Sequence, residues 1–243
     1  MAPTPRLTLS EAQARHARAV IAGGPPVAAR PASAVVVIRD SVAGSARTSG
    51  IEVYVHRRHR DMKFAAGVVA FPGGGVDLED LATPVPGEAD WARRLGVEDA
   101  IVARSFVAAA VRELAEETGL VVTPADLAPW AHWITPTFQE RRYDTWFFLL
   151  AVPDDTSPRD VSGETEGVAW VRPADELHRA AAGESMLMPP TRAVLADLAA
   201  YDSVAAALAA ANGRRVDTVE PLWELDGDHV VLSSISKAPG KGT

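Results

Sequence analysis

The 243-residue chain contains no cysteine, which excludes disulfide bonds, thiolate metal sites and cysteine nucleophiles. No apolar run approaches the roughly 20 residues that cross a bilayer. We therefore expect a soluble, cytoplasmic protein without a membrane partner. Positive charge is also scarce, because 24 lysines and arginines accompany 32 aspartates and glutamates, for a formal net charge of -8. An acidic chain without a long basic tract is a poor candidate for nucleic-acid binding.

One dense stretch, residues 71–120, begins with a glycine-rich turn and ends with a cluster of glutamates. On a helix at about 100° per residue, the apolar side chains before the cluster form one stripe, and the acidic side chains lie opposite. Glu113, Glu116 and Glu117 would repel one another within one turn. Either the face is simply solvated, or a hard divalent cation such as Mg²⁺ is bound by these oxygens together with water and substrate phosphate. Gly119 would end the helix.

At these residues the chain resembles the Nudix hydrolases. Their box reads glycine, five residues, glutamate, seven residues, Arg-Glu, an aliphatic residue, any residue, Glu-Glu, any residue, glycine and an aliphatic residue. Residues 112–120 match every fixed position of the second half. The first half is interrupted, because Gly74 and Arg112 lie 38 residues apart, 24 more than in the box. Asp80 occupies the position of the box glutamate, and we expect it to partner Arg112.

The interruption is predicted to be an insertion at about residues 81–99, which can loop out because closure cost grows slowly with loop length. A box interrupted after Phe-Pro-Gly-Gly resembles the coenzyme A diphosphatase branch of the family, and most closely its peroxisomal members. Residues 88–95 are predicted to form a short helix on which Trp91 is a packing anchor. The insertion could be a lid, a substrate wall or a contact in a homodimer.

The resemblance implies an α+β fold, the Nudix αβα sandwich with a mixed β-sheet between helices, over residues 33–200. Residues 1–32 would be an N-terminal helical extension, and residues 201–243 a C-terminal extension with a helix and a hairpin. The implied reaction is hydrolysis of a phosphoanhydride in a small nucleotide-type substrate. The resemblance assigns the Mg²⁺ or Mn²⁺ cofactor four ligands, the carbonyl of Gly73 and the carboxylates of Glu113, Glu116 and Glu117.

The general base that takes the proton of the attacking water stays open among three glutamates. Glu116 lies in the box itself. Glu164 and Glu166 precede a predicted strand at residues 168–171, where the family often contributes a further carboxylate. For Glu164 and Glu166 the alternative is an ordinary charge on an acidic loop.

Basic residues are the candidates for substrate contacts. Arg58 and Arg60 belong to a basic cluster just before the glycine turn, where they could bind phosphate or lie in a solvated turn. Arg142, in the loop between two predicted strands, could make a bidentate phosphate contact, and the resemblance favours it over Arg141. His132 is interpreted as a structural side chain. Gly74 and Gly119 join Asp80 and Arg112 as structural positions.

Two alternatives to coenzyme A hydrolysis remain. One is an enzyme for ADP-ribose or another ADP-linked metabolite, because Pro136 resembles a downstream proline of ADP-ribose hydrolases. The other is a Nudix-fold regulator that binds a nucleotide without cleaving it.

Local patterns also predict several elements outside the box. Residues 1–8 are expected to be loose, and Ser10 is expected to cap a helix at residues 11–22. Residues 34–38 and 51–56 are predicted to pair as antiparallel strands. The remaining predictions are a strand at residues 120–122, strands at 131–134 and 145–151, and a hairpin around 226–227.

Overall fold

The structure is a computed structural model that describes residues 6–41, 50–58, 68–159, 161, 165–227 and 229–237; at 6, 58, 165–166 and 233–237 only the backbone is described. Its strands are β1 (Arg6–Thr8), β2 (Arg30–Asp40), β3 (Ile51–Arg58), β4 (Val68–Ala70), β5 (Gly73–Gly75), β6 (Ala128–Ile134), β7 (Tyr143–Ala151), β8 (Thr165–Val171), β9 (Met186–Leu187), β10 (Thr218–Asp226) and β11 (His229–Lys237). Its helices are α1 (Glu11–Ile21), α2 (Leu78–Ala82), α3 (Glu88–Leu95), α4 (Ala100–Thr118), α5 (Pro173–Ala181), α6 (Pro189–Leu198) and α7 (Val204–Ala211), with a 3₁₀ turn at Pro124–Asp126. Among these helices there is none with the length and apolarity needed to cross a membrane.

The strands form one mixed sheet, which across the described residues runs in the order β1-β11-β10-β6-β7-β2-β3-β4-β9. In addition, β5 pairs with β2 and β8 pairs with β3. The central strand β2 is parallel to β7 and antiparallel to β3. Its continuous apolar run is fully buried, which is the pattern of a strand covered on both faces.

Helices cover both faces of the sheet, so the predicted sandwich is confirmed. On one face, Val35 and Val37 of β2 pack in a core with residues of α3 and α4. On the other face, Val36 and Ile38 pack with residues of α6 and α7. The alternation follows from the two-residue period of a strand, and it places α4 against one side of the sheet centre.

The long helix α4 presents the acidic cluster. Asp99 caps its first turn by accepting hydrogen bonds from the backbone N–H groups of Ile101 and Val102. It ends at Gly119, whose φ of 72° is the left-handed conformation that glycine favours after a helix. The buried stripe contains Ala103, Val107, Ala110 and Leu114, so the glutamates of the last turns are held at the helix end away from the core.

Two local predictions are wrong. Residues 120–122 form no strand, because Thr118 Oγ1 accepts a hydrogen bond from Leu120 N and the chain then turns into the 3₁₀ helix. Residues 6–8 are not loose, since they form β1 and pair with β11 of the C-terminal hairpin. The predicted hairpin itself is present, as are the helix capped by Ser10 and the antiparallel pairing of β2 with β3.

Candidate active site

The glycine turn lies directly against α4. Its strand β5 pairs with β2, so that Gly73 lies opposite Ala34. Gly73 has a φ of 155°, and a Cβ there would overlap the backbone of Ser33 and Ala34. A Cβ on Gly74 would collide with the carboxyl group of Glu113. These two positions need glycine because other backbone and side-chain atoms occupy the space of a side chain.

Glu117 connects the acidic helix to the glycine turn. Its Oε2 accepts a hydrogen bond of 2.9 Å from the backbone N–H of Gly73. The same oxygen lies 3.6 Å from Nδ1 of His56, on the neighbouring strand β3. The Glu117 side chain is 16% exposed, so it lies at the border between the core and solvent.

Arg112 joins the two halves of the interrupted stretch. It donates from Nε to Asp80 Oδ1 at 3.1 Å and from Nη2 to Asp80 Oδ2 at 2.8 Å. Nη2 also donates to the carbonyl of Gly75 at 2.9 Å. The expected contact between Asp80 and Arg112 is therefore present across the insertion. The hydrogen bonds to Asp80 raise the pKa of Arg112 further above its usual value.

Asp80 is itself buried and accepts a hydrogen bond from the backbone N–H of Asp77 through Oδ2. That bond belongs to a capping box at the start of α2. A buried carboxylate costs free energy unless it is paired, and here both of its oxygens are bonded. The guanidinium of Arg112 thus meets an anion that the fold already holds in place.

The other two glutamates of the cluster also contact Arg112. Nη1 donates to Glu113 Oε1 at 2.9 Å and to Glu116 Oε2 at 3.3 Å. Burial raises the pKa of the Glu113 carboxyl, and the hydrogen bond from Arg112 acts in the opposite direction. Glu116 is the open member, with a side chain that is 61% exposed.

The donor chemistry of this site fits a hard divalent cation. Glu113, Glu116 and Glu117 offer only oxygen atoms, and the absent side chain of Gly74 leaves room for the Glu113 carboxyl. In the part of the chain that the structure describes, no group of three or more histidine, cysteine, aspartate or glutamate side chains is gathered as a metal centre. Glu113 and Glu116 accept hydrogen bonds from Arg112, and Glu117 accepts one from Gly73 N, so each carboxylate is oriented by a neighbouring donor.

Several predicted residues fall outside what the structure describes. Glu164 and Arg60 lie outside the described residues. Arg58 ends β3 and Glu166 lies near the start of β8, and in both cases only the backbone is described. Glu116 is the one candidate for the general base whose side chain is described.

Arg142 is buried, and its guanidinium is fully engaged with the fold. It donates to the carbonyls of Thr135 and Val27, each at 2.8 Å, and to Glu220 Oε1 at 2.6 Å. These bonds fasten the loop between β6 and β7 to β10. A phosphate contact would require Arg142 to leave them, so its substrate-binding role stays a prediction that this geometry does not favour.

His132 lies among three partners on the sheet. Its Nδ1 is 2.8 Å from Thr218 Oγ1, and its Nε2 contacts Asp144 Oδ1. The ring stacks on Trp146 with 4.3 Å between centroids. These are the contacts of a side chain that fixes strands to one another, as the sequence analysis expects.

His56 could not be assigned to the site from its sequence context. It is one histidine at the end of a strand, and nothing local marks it as part of the site. A groove of about 1430 Å³ also lies away from this site, between the end of α3, the start of β6 and the end of α7. None of the predicted metal ligands lines that groove.

A mixed sheet between helices, with an acidic helix end bonded to a glycine turn, defines an α+β protein with a carboxylate site of oxygen donors. The chain belongs to the NUDIX domain family, whose family model matches residues 29–189. A relative from Caenorhabditis elegans named nudix hydrolase 7 is 28% identical over an alignment of 173 residues, with coverage of 57% of this chain and 52% of the relative. The chain thus spans about half the length of this curated relative.

A solved structure is similar over a larger share. The NUDIX hydrolase from Alicyclobacillus acidocaldarius aligns with a TM-score of 0.60 at 29% identity, covering 75% of this chain and 96% of that chain. This likeness confirms the Nudix fold, a mixed β-sheet with helices, for the chain.

Proposed function

We propose that the chain is a divalent-metal-dependent pyrophosphohydrolase that cleaves a nucleoside diphosphate linked to another moiety. The observation that carries the proposal is the contact between the two halves of the interrupted box. Arg112 binds Asp80 and Gly75, and Glu117 binds Gly73, so the glycine turn and the acidic helix meet despite the insertion. The family match supports the same chemistry.

The residues have distinct roles in this proposal. Glu113, Glu116 and Glu117, with the carbonyl of Gly73, would hold Mg²⁺ or Mn²⁺. Once bound, the cation supplies charge neutralisation at the phosphate oxygens and makes a coordinated water more acidic. Arg112 orients Glu113 and Glu116 through Nη1.

A carboxylate takes the proton of the attacking water. Glu116 is a candidate because it is exposed at the open side of the cluster. Glu164 and Glu166 remain the alternatives for this role. The water oxygen bonds to one phosphorus, and the bridging oxygen leaves with the other phosphate.

Coenzyme A or an acyl-coenzyme A is the substrate we favour within this class. Support comes from the Phe-Pro-Gly-Gly turn and the long insertion, which resemble coenzyme A diphosphatases. The products would be 3',5'-ADP and free or acylated 4'-phosphopantetheine. Arg58 and Arg60, which precede the glycine turn in sequence, are the proposed contacts to the anionic substrate.

ADP-ribose is the second candidate substrate. The observation that favours it is Pro136, whose position after the acidic helix resembles that of a proline in ADP-ribose hydrolases. Its carbonyl accepts a hydrogen bond from Gln139 N in the loop between β6 and β7. That loop is therefore ordered by its own turn.

Product analysis tests the proposal. Purified protein with Mg²⁺ or Mn²⁺ receives coenzyme A, acetyl-coenzyme A, ADP-ribose and a dinucleoside polyphosphate in parallel. Glu117→Gln is the test variant, because an amide oxygen can still accept the bond from Gly73 N while the charge is lost. Glu224→Gln, an exposed glutamate of β10, is the matched control.

Each outcome of the product analysis leads to a different conclusion. Release of 3',5'-ADP by the parent and by Glu224→Gln, but not by Glu117→Gln, supports both metal chemistry and substrate. Turnover of ADP-ribose alone would overturn the coenzyme A assignment and leave the metal chemistry standing. Nucleotide binding without turnover would indicate the non-catalytic regulator.

A further inference from the structure

His56 is a buried histidine with a defined place beside the acidic cluster. It is 3% exposed and lies on β3, where it pairs with Ala70 of β4 on one side and Val168 of β8 on the other. Strands paired on both sides hold its backbone within the sheet. The position of the ring is therefore set by the sheet.

The aromatic ring of Tyr54 packs against the imidazole. Tyr54, two residues earlier on the same face of β3, meets it edge to face with 5.3 Å between centroids. Tyr54 in turn packs edge to face against Trp170 at 5.6 Å. An edge-to-face contact with a ring that is itself packed favours one orientation of the imidazole.

The ring presents Nδ1 to Glu117. Nδ1 lies 3.6 Å from Glu117 Oε2, the oxygen that also accepts the 2.9 Å bond from Gly73 N. Contacts from β3 and β5 thus converge on Oε2 of a largely buried carboxylate. A small approach of the carboxylate toward β3 would convert the 3.6 Å contact into a hydrogen bond.

We infer that His56 is a positioning residue that holds Glu117 in the orientation needed to bind a divalent cation. The inference rests on the proposed function. Carboxylates and histidines that ligate metals are commonly oriented by an outer hydrogen bond, and losing that partner typically lowers metal affinity about 10- to 100-fold. His56 reaches no open face of the site, so it acts through Glu117 and not on the substrate.

The test compares two substitutions of similar size. His56→Asn keeps an N–H donor close to the place of Nδ1, whereas His56→Leu fills a similar volume without a donor. Mn²⁺ binding to the full chain, without substrate, is measured from the electron paramagnetic resonance signal of free Mn²⁺. Thermal unfolding of each variant is recorded beside it, and His56→Gln is a third variant in case one of the pair does not fold.

The two roles predict opposite orders. If His56 positions Glu117, His56→Leu weakens Mn²⁺ binding about 10- to 100-fold, and His56→Asn retains most of it. If His56 only fills space, the apolar leucine is the better replacement and Mn²⁺ affinity follows stability. Parent-like Mn²⁺ binding by a folded His56→Leu would overturn the inference.

The same titration separates this inference from the proposed function. Glu117→Gln should lose Mn²⁺ binding whatever the role of His56. A parent chain that binds no Mn²⁺ would overturn the metal site and the role of His56 together. A parent that binds Mn²⁺, with His56→Leu unchanged, would overturn the role of His56 alone.

Discussion

The acidic end of α4 and the insertion that precedes α4 are held to the same sheet by different forces. At the acidic end, charged hydrogen bonds connect Arg112, Asp80 and Glu117 with the glycine turn. In the insertion, apolar burial dominates, because Trp91 and Leu95 of α3 pack in the core beneath α4. The insertion is thus anchored independently of the site that it interrupts.

The difference explains how a box split by so many residues can still assemble. Arg112 reaches Asp80 directly, so the geometry of the two halves does not depend on the path of the chain between them. Polar contacts at the edge of the insertion add to its packing, since Arg104 donates to Glu88 Oε2 and to the carbonyl of Leu81, each at 2.8 Å. The insertion is therefore a packed cap on α4 and not a loose loop.

The largest expected effect is a loss of stability when the apolar packing of the insertion is removed. Trp91 is buried and meets Phe148 edge to face at 6.1 Å between centroids. Trp91→Ala should lower the free energy of unfolding by about 3–5 kcal/mol, measured by urea titration with far-UV circular dichroism. Leu78→Ala, at a side chain 84% exposed, is the control and should stay within about 0.5 kcal/mol. An equal small effect in both variants would mean that the insertion is not anchored by its core.

The next largest effect is expected from substitutions that remove the charged contact between Asp80 and Arg112. Asp80→Asn and Arg112→Met should each cost about 2 kcal/mol of stability, because hydrogen bonds between charged groups contribute roughly 1.5–3 kcal/mol. The double variant should cost clearly less than the sum, since both changes remove one interaction. Asp77→Asn is the control, because this exposed carboxylate lies 3.6 Å from Arg112 and should matter little. Additive costs would contradict a direct bond between Asp80 and Arg112.

A smaller effect tests the fit of the glycine turn. Gly74→Ala should reduce turnover about 10- to 100-fold, because overpacking costs about 1–3 kcal/mol and here it displaces the Glu113 carboxyl. Gly75→Ala, where a Cβ meets nothing within 4 Å, should leave turnover almost unchanged. Steady-state kinetics of the two variants decides the point. An equal loss of turnover in both variants would show that the flexibility of the turn matters, and that the close approach of Gly74 to the Glu113 carboxyl does not.

The smallest effect lies outside both regions, at the 3₁₀ turn. Hydrogen bonds from the backbone N–H and hydroxyl of Thr123 lower the pKa of Asp126. A lowered folded pKa stabilises the protein above the unfolded value of about 3.9, and that stabilisation is lost as the pH falls through the folded pKa. Asp126→Asn should therefore lower the free energy of unfolding at pH 7 by about a few tenths of a kcal/mol, measured by urea titration, because the group is so exposed. At pH 3 the difference in free energy of unfolding between Asp126→Asn and the parent should be smaller. A difference that stays constant with pH would contradict this prediction.

Much of the site could be predicted because its signals are local. The glutamates at Glu113, Glu116 and Glu117 lie within one helical turn, and their face follows from the helical period alone. Asp80 could be chosen as the partner of Arg112 by its spacing from the glycines. Gly119 could be assigned to the helix end from its residue type.

The features that could not be predicted from the sequence depend on contacts between distant segments of the chain. His56 meets Glu117 only because β3 lies beside the glycine turn, and no spacing rule connects the two. The strand β1 exists because the C-terminal hairpin offers it an edge. Arg142 finds its acceptor Glu220 far along the chain, so its internal bonds could not be distinguished from a substrate contact.

The most direct test of the central claim is a crystal structure of the chain grown with Mn²⁺, with anomalous diffraction collected at the manganese edge. The account predicts an anomalous peak bounded by Glu113, Glu116 and Glu117 beside the carbonyl of Gly73, with Arg112 still bonded to Asp80. A peak at some other place, or separation of Arg112 from Asp80 when the cation binds, would contradict it.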